Sequence, residues 1–240
     1  MIRFVTETGS TNTDLASELR AGMAVPEGEW LVADRQVSGR GRQGRAWFDG
    51  YGNFMGSTVV HLSPRDPNPA TLALVAGVAA YEAVSGVLAD PSLLKLKWPN
   101  DLLLRNAKLA GILLEREGSA VIVGMGVNLV AAPDLPDRRT IALTNFGPPP
   151  DREIFARSLS HAFDQELDRW RTYGLEPLIR RWESVAHPRG ASLTVNVPGE
   201  QRIEGAFDGL TAEGTLLLRL EDGSTRAIHA GDVMLANEGN

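Results

Sequence analysis

The sequence predicts an α/β chain with a largely antiparallel sheet and flanking helices, followed by a small β-barrel. Three observations carry this reading. Segments of helical and of strand period alternate through residues 1–187. Residues 93–124 hold short apolar segments parted by turn residues, the pattern of an antiparallel meander. After His187-Pro188, about fifty residues of short alternating segments, punctuated by Pro198-Gly199, Gly214 and Asp222-Gly223, read as a small barrel. The expected division is therefore 1–187 and 188–240.

Taken in order, residues 2–6 read as a short strand. Ser10-Thr11-Asn12 then opens a helix, with Thr11 and Asp14 as a capping signature, Leu15 and Leu19 one turn apart, and Gly22 at its end. Residues 30–33 form a buried strand that leads into an Arg/Gly loop. Residues 53–61 are the next strand, followed by a Pro-rich turn over 63–69. Leu72, Val75, Ala76, Ala79 and Ala83 give residues 71–88 a helical period. In 93–98, Leu94, Leu96 and Trp98 share one strand face, and Lys95 and Lys97 the other. Pro99-Asn100-Asp101 is a turn; 102–104, 109–115 and 120–124 complete the meander. Asp151 caps a helix whose stripe is Phe155, Leu159, Phe163, Leu167 and Trp170, and a second helix covers 177–185. Strands at 191–197, 203–210, 215–220 and 224–227 build the barrel.

Composition excludes several classes. The 240 residues are 43% hydrophobic and 22% charged, ordinary for a globular protein, and the net charge of −6 argues against a nucleic-acid or membrane coat. With no cysteine there is no disulfide framework, thiolate nucleophile or Cys-based metal site, and the four histidines lack metal-ligand spacing. No signal-peptide core opens the chain. The expectation is a cytoplasmic enzyme with neither a nucleic-acid nor a membrane partner.

Basic chemistry must then be local. Gly39-Arg40-Gly41-Arg42-Gln43-Gly44-Arg45 sets three arginines among three glycines. Guanidinium groups so close repel one another, so an anionic ligand is the natural reason to gather them, and glycine lets the backbone approach it. Gly39, Gly41 and Gly44 fit G-x-G-x-x-G, but a dinucleotide fingerprint must open a helix, and Arg45-Ala46-Trp47-Phe48-Asp49-Gly50 leads to a strand instead. No kinase H-R-D or D-F-G and no Walker-type loop accompanies it. On this segment alone, a solvated loop and a nucleic-acid arm stay open.

Three further motifs follow in order: Lys97-Trp98-Pro99-Asn100-Asp101, Lys108-Leu109-Ala110-Gly111-Ile112-Leu113-Leu114-Glu115, and Gly124-Met125-Gly126-Val127-Asn128-Leu129. With Ser10-Thr11-Asn12 and the Arg/Gly loop, they resemble the biotin protein ligases over nearly the whole chain. The resemblance is nearest to the monofunctional bacterial type, without the N-terminal DNA-binding domain of the bifunctional members. It implies a mixed sheet with flanking helices and an SH3-like C-terminal barrel. Implied substrates are ATP and biotin with Mg²⁺, and the implied partner is the biotin carboxyl carrier protein of acetyl-CoA carboxylase; a homodimer is left open. Ala236 stands where relatives often place an arginine.

The resemblance also implies roles. Biotin falls to Ser10, Thr11, Asn12, Gln36, Arg40, Gly41, Arg42, Lys108 and Gly111. ATP falls to Arg45, Trp47, Lys97, Asn100, Asp101 and Asn128. Lys108, Arg42 and Asp101 are the catalytic candidates. No protein ligands are assigned to Mg²⁺, which is expected on the ATP phosphates. The family reaction explains these residue types: a carboxylate attacks the α-phosphorus of ATP, and fixed cations must offset the repulsion between the two anions. Asp101 is left between orienting Mg²⁺ and orienting the incoming lysine amine. Trp47 is left between an aromatic wall and a loop anchor. A lipoate or octanoate transferase of similar fold is the alternative enzyme.

Overall fold

A computed structural model describes residues 1–197, 199 and 201–235. Seven strands form the larger sheet: β1 (Ile2–Thr8), β2 (Trp30–Gln36), β3 (Phe54–His61), β4 (Leu94–Lys97), β5 (Asp101–Leu104), β6 (Ala107–Glu117) and β7 (Ala120–Val127). Their order is β1-β2-β3-β7-β6-β5-β4, and only the β1–β2 pair is parallel. The expected meander is β4 through β7. Helices α1 (Thr11–Arg20), α2 (Leu72–Ser85), α3 (Arg152–Tyr173) and α4 (Leu175–Ser184) flank this sheet. A second, antiparallel sheet of β8 (Ser192–Asn196), β9 (Ile203–Leu210), β10 (Leu216–Arg219), β11 (Thr225–Ile228) and β12 (Asp232–Leu235) follows, ordered β11-β10-β9-β8-β12, the SH3-like part of the fold.

Strand alternation decides what each sheet face does. On β7, Val121, Val123, Met125 and Val127 join the main core beneath α2 and α3. Its other face begins with Ala120 and Ile122, which pack with Leu15, Ala16, Leu31 and Val59 under α1. The same face continues with Gly124 and Gly126, where aliphatic cover stops. The predicted stripe of α3 is buried along its whole length, and Phe163 meets Trp30 edge-on at 5.6 Å. α2 is apolar nearly all round because it lies between the sheet and α3.

Four local expectations change. The N-cap of α1 is Ser10, without a side-chain cap bond, and Asp14 accepts from the Thr8 hydroxyl; the Thr11–Asp14 signature therefore does not cap this helix. Asp101 opens β5 rather than closing a turn, because it pairs with Lys97 and Gly111 on its two sides. β1 and β2 extend two and three residues beyond their predicted ends as a parallel pair. β12 has no predicted counterpart. Ala236 lies outside the described residues.

The two sheets meet along a packed seam. Trp182 faces Phe207 at 6.5 Å, Glu183 accepts from the Leu210 amide at 2.7 Å, and the Trp98 indole donates to the Gly214 carbonyl at 3.2 Å. Trp98 is buried, as its strand face predicts. Among the described residues no helix is long and apolar enough to cross a membrane. Trp98→Phe keeps the packing but orphans the Gly214 carbonyl; it is expected to cost about 1 kcal/mol in urea unfolding. An unchanged midpoint would remove this bond from the account of the seam.

Candidate active site

Where aliphatic cover stops on β7, a cavity of about 500 Å³ opens. Its floor is glycine. A Cβ on Gly124 would come 2.1 Å from Asn12 Oδ1, and one on Gly126 would come 2.2 Å from the Trp47 ring. Gly111 lies beside Gly126 in the β6–β7 register, and its Cβ would meet the same indole at 2.9 Å. These positions need glycine for close approach and not for unusual backbone angles.

The start of α1 and β2 form one wall. Ser10, Thr11, Asn12 and Gln36 are all buried, and Ser57 on β3 is fully so. The Thr11 amide donates to Gln36 Oε1 at 2.7 Å, and its hydroxyl meets Ser57 Oγ at 2.6 Å. This wall is uncharged at the cavity surface.

The Arg/Gly loop forms the opposite side as a narrow hairpin. Arg40 bridges Ala46, the Gly41 amide donates to the Arg45 carbonyl at 2.7 Å, and the Trp47 amide donates to Gly39 at 2.9 Å. Its tip turns over Arg42–Gly44, where Gln43 at φ 57° and Gly44 at φ 73° are both left-handed. The arginines fan out. Arg42 donates to Asn100 Oδ1 at 3.1 Å and to the Gly231 carbonyl at 3.4 Å. Arg45 pairs with Asp232 of β12. Among the described residues Arg40 has no carboxylate partner.

At the third side Asp101 is clamped by two amines, Lys108 Nζ at 2.6 Å and Lys97 Nζ at 3.3 Å. Burial by itself raises the Asp101 carboxyl, but Lys108 and Lys97 outweigh it and hold it at about 2. Lys108 also lies 5.8 Å from the centre of the Trp47 ring. Its backbone is fixed by the segment that follows β7, through Lys108 N to Arg139 O at 2.8 Å and Ile141 N to Lys108 O at 3.0 Å. That segment carries Arg138 into the cavity. Asp137 raises the Arg138 pKa as its hydrogen-bond acceptor, against burial, and Asp101 and Asp232 reinforce the effect.

All the sequence-predicted site residues but one line this cavity: Ser10, Thr11, Asn12, Gln36, Arg40, Gly41, Arg42, Arg45, Trp47, Asn100, Asp101, Lys108, Gly111 and Asn128. Lys97 is the exception; its amine donates to the Val233 carbonyl at 3.0 Å and reaches the cavity only through Asp101. Trp47 anchors the loop, since its amide closes the hairpin and its indole lies over the glycine floor. Sequence reasoning missed Ser57, Arg138 and Asp232, which stand in no motif and arrive from three separate segments. Among the described residues, buried Trp47 Nε1 and Asn128 Oδ1 have no hydrogen-bond partner, which leaves two polar atoms at the cavity for a ligand to satisfy.

Cations crowd one end of the cavity, and a neutral hydrogen-bonding wall closes the other. Fold and cavity thus define a protein with a site suited to anionic groups at one end and a neutral, polar group at the other. The sequence matches the biotin/lipoate A/B protein ligase family over residues 5–129 and the biotin protein ligase C-terminal domain over 194–235. A biotin–[acetyl-CoA-carboxylase] ligase of Paracoccus denitrificans is 35% identical over 88% of this chain and 91% of that protein. One of Mycobacterium tuberculosis is 32% identical over 96% and 87%. The structure of the biotin protein ligase from Aquifex aeolicus in complex with biotin and ATP superposes with a TM-score of 0.86 at 27% identity, covering 98% of this chain and 99% of that one. The chain belongs to the biotin/lipoate A/B protein ligase family, and within it to the biotin protein ligases.

Two outcomes test the geometry. Gly124→Ala drives a methyl group into Asn12 and is expected to weaken biotin binding about a hundredfold while the protein still folds, as calorimetric titration and circular dichroism would report; undiminished binding would mean that the neutral wall does not receive biotin. Asp101 stabilises the folded state fully above its ordinary value of about 4, and this contribution is lost as pH falls toward 2. Asp101→Asn should therefore cost on the order of 2 kcal/mol at pH 7 and progressively less below pH 4. A gap that does not change with pH would contradict the lysine clamp.

Proposed function

We propose that this chain is an ATP-dependent ligase that attaches biotin to a lysine of the biotin carboxyl carrier protein of acetyl-CoA carboxylase, acting in the cytoplasm. Residues 1–187 form its catalytic part and 188–240 its C-terminal part. The observation that carries the reading is the meeting of Arg40, Arg42 and Lys108, from two distant segments, beside a neutral wall at one cavity. The relatives named above, and the ligands in the Aquifex structure, supply the substrates.

In the first step a biotin carboxylate oxygen attacks the α-phosphorus of ATP, and pyrophosphate leaves with the bond's electron pair. Lys108 and the loop arginines offset the repulsion between the reacting anions. In the second step the carrier lysine amine attacks the acyl carbon of biotinyl-AMP, AMP leaves, and the amine gives up a proton. Asp101 is not free to take that proton outright, since two lysines hold it ionised at about 2; its part is to fix the Lys108 amine by a 2.6 Å contact. Among the described residues no three His, Asp or Glu side chains converge as a metal cage. In this reading Mg²⁺ enters as part of the MgATP substrate, held chiefly by the phosphates. Arg45 and Arg138, now paired with Asp232 and Asp137, are the cations nearest at hand for its phosphates.

The lipoate or octanoate alternative shares the first family match but not the biotin-specific C-terminal one. Biotin-dependent exchange between pyrophosphate and ATP, without carrier, is the expected signature. If protein, MgATP and biotin yield no biotinyl-AMP, the reading fails, and preferential binding of octanoyl or lipoyl groups would install the alternative. Lys108→Ala is expected to slow adenylate formation by about 10²–10³, whereas Lys95→Ala, outside the cavity, leaves it near wild type. Equal rates in the two variants would show that the amine at 108 has been misassigned.

A further inference from the structure

The neutral wall is one end of a longer hydrogen-bond chain that leaves the cavity. Thr11 meets Ser57 at 2.6 Å, Ser57 Oγ donates to Asn12 Oδ1 at 2.6 Å, and Asn12 Nδ2 donates to Glu115 Oε2 at 2.6 Å. Glu115 stands on β6 outside the cavity lining. We propose that Glu115 is a positioning residue that fixes the Asn12 amide and, through it, the hydroxyl protons of Ser57 and Thr11, so that this part of the wall offers acceptors to a ligand ring bearing N–H groups. The proposal rests on the biotin reading above and names how that site tells its substrate from other carboxylic acids.

The argument is one of proton counting. An ionised carboxylate only accepts, so the Asn12 amide must turn its NH₂ toward Glu115 and its carbonyl toward Ser57. Ser57 has one proton, and it goes to that carbonyl. At the Thr11–Ser57 contact the donor must therefore be Thr11, whose single proton also faces Gln36 Oε1 at 3.1 Å. At the far end, the Thr11 backbone N–H can only donate, which turns the Gln36 carbonyl toward Thr11 and its amide nitrogen toward Gly39. Both amides are thus oriented by chemistry. The hydroxyl protons of Thr11 and Ser57 are consumed within the chain, and what remains toward the cavity is the lone pairs of Thr11, Ser57 and the Asn12 carbonyl.

A cyclic urea such as that of biotin brings two N–H donors to such a surface. A dithiolane ring or a saturated acyl chain brings none and would leave buried acceptors unpaired, a fault that polar sites punish far more than they punish a change in size. Without the carboxylate, Asn12 is free to turn over, the chain can run in either direction, and the wall loses its preference. Gly124 has a part in this as well, since it leaves the Asn12 amide room to lie flat against β7.

Titration calorimetry on full-length Glu115→Met and Glu115→Gln, with biotin and octanoate as ligands and the KM for ATP measured in parallel, tests the proposal. Glu115→Met is expected to weaken biotin about tenfold, narrow the preference over octanoate and leave the KM for ATP unchanged. Glu115→Gln, which still presents an acceptor oxygen, recovers most of the loss. Unaltered biotin affinity in Glu115→Met would overturn the proposal. So would parallel losses for biotin and ATP, the mark of general loosening. If Glu115→Met does not fold, Glu115→Ala removes the same acceptor from outside the cavity and is judged by the same criteria. Wild-type protein that forms biotinyl-AMP keeps the ligase reading in force whichever way the Glu115 variants behave; wild type that does not sinks that reading instead.

Discussion

The structure turns on the side chains that β7 does without. A sheet face in a protein interior is ordinarily covered at full density, and residues 120 and 122 obey this under α1. Two steps further along the same face Gly124 and Gly126 remove the cover, and the space is taken by Asn12 on one side and the Trp47 indole on the other. Because the opposite face of the strand keeps its valines and methionine in the main core, the strand is held rigidly while one end of its other face is left open.

Around that opening, like charges have been gathered, and Lys97, Lys108, Arg45 and Arg138 have each been given a carboxylate neighbour. Asp101 balances Lys97 and Lys108, Asp232 balances Arg45, and Asp137 balances Arg138. The pairs divide into two kinds by burial. Asp101 is deeply buried with Lys97 and Lys108, so its clamp is a fixed part of the framework. The Arg45–Asp232 pair is partly exposed, and exposed pairs contribute little to stability. The Arg45 guanidinium is therefore held loosely by Asp232. The C-terminal sheet bears on the cavity in this way, as three successive positions of one segment, Gly231, Asp232 and Val233, receive Arg42, Arg45 and Lys97.

Much of this was legible beforehand. Helix stripes, the meander and the change of character after His187-Pro188 follow from periodicity, which the backbone imposes locally. The Arg/Gly loop, Lys108 and the Gly111, Gly124 and Gly126 segments stood out as short motifs and are brought to one cavity. Other features could not be read. Thr11 with Asp14 has the spacing of a cap, but the Thr11 hydroxyl turns to Gln36 and Ser57, because a buried hydroxyl follows the nearest buried partner and not the helix end. Lys97 belongs to a motif, yet its amine is drawn to the Val233 carbonyl by the packing of the second sheet.

By itself, the order of residues determined which stretches become helix or strand, where the cations cluster, and where the glycines fall. Those properties depend on neighbours within a few positions. Only the folded chain decided which of the cations face each other, that Asp232 closes the arginine hairpin from across the molecule, and that Glu115 governs Asn12 from outside the cavity. The last two are contacts between groups a hundred or more residues apart, and all three depend on strand register and sheet order, which local propensity leaves undefined.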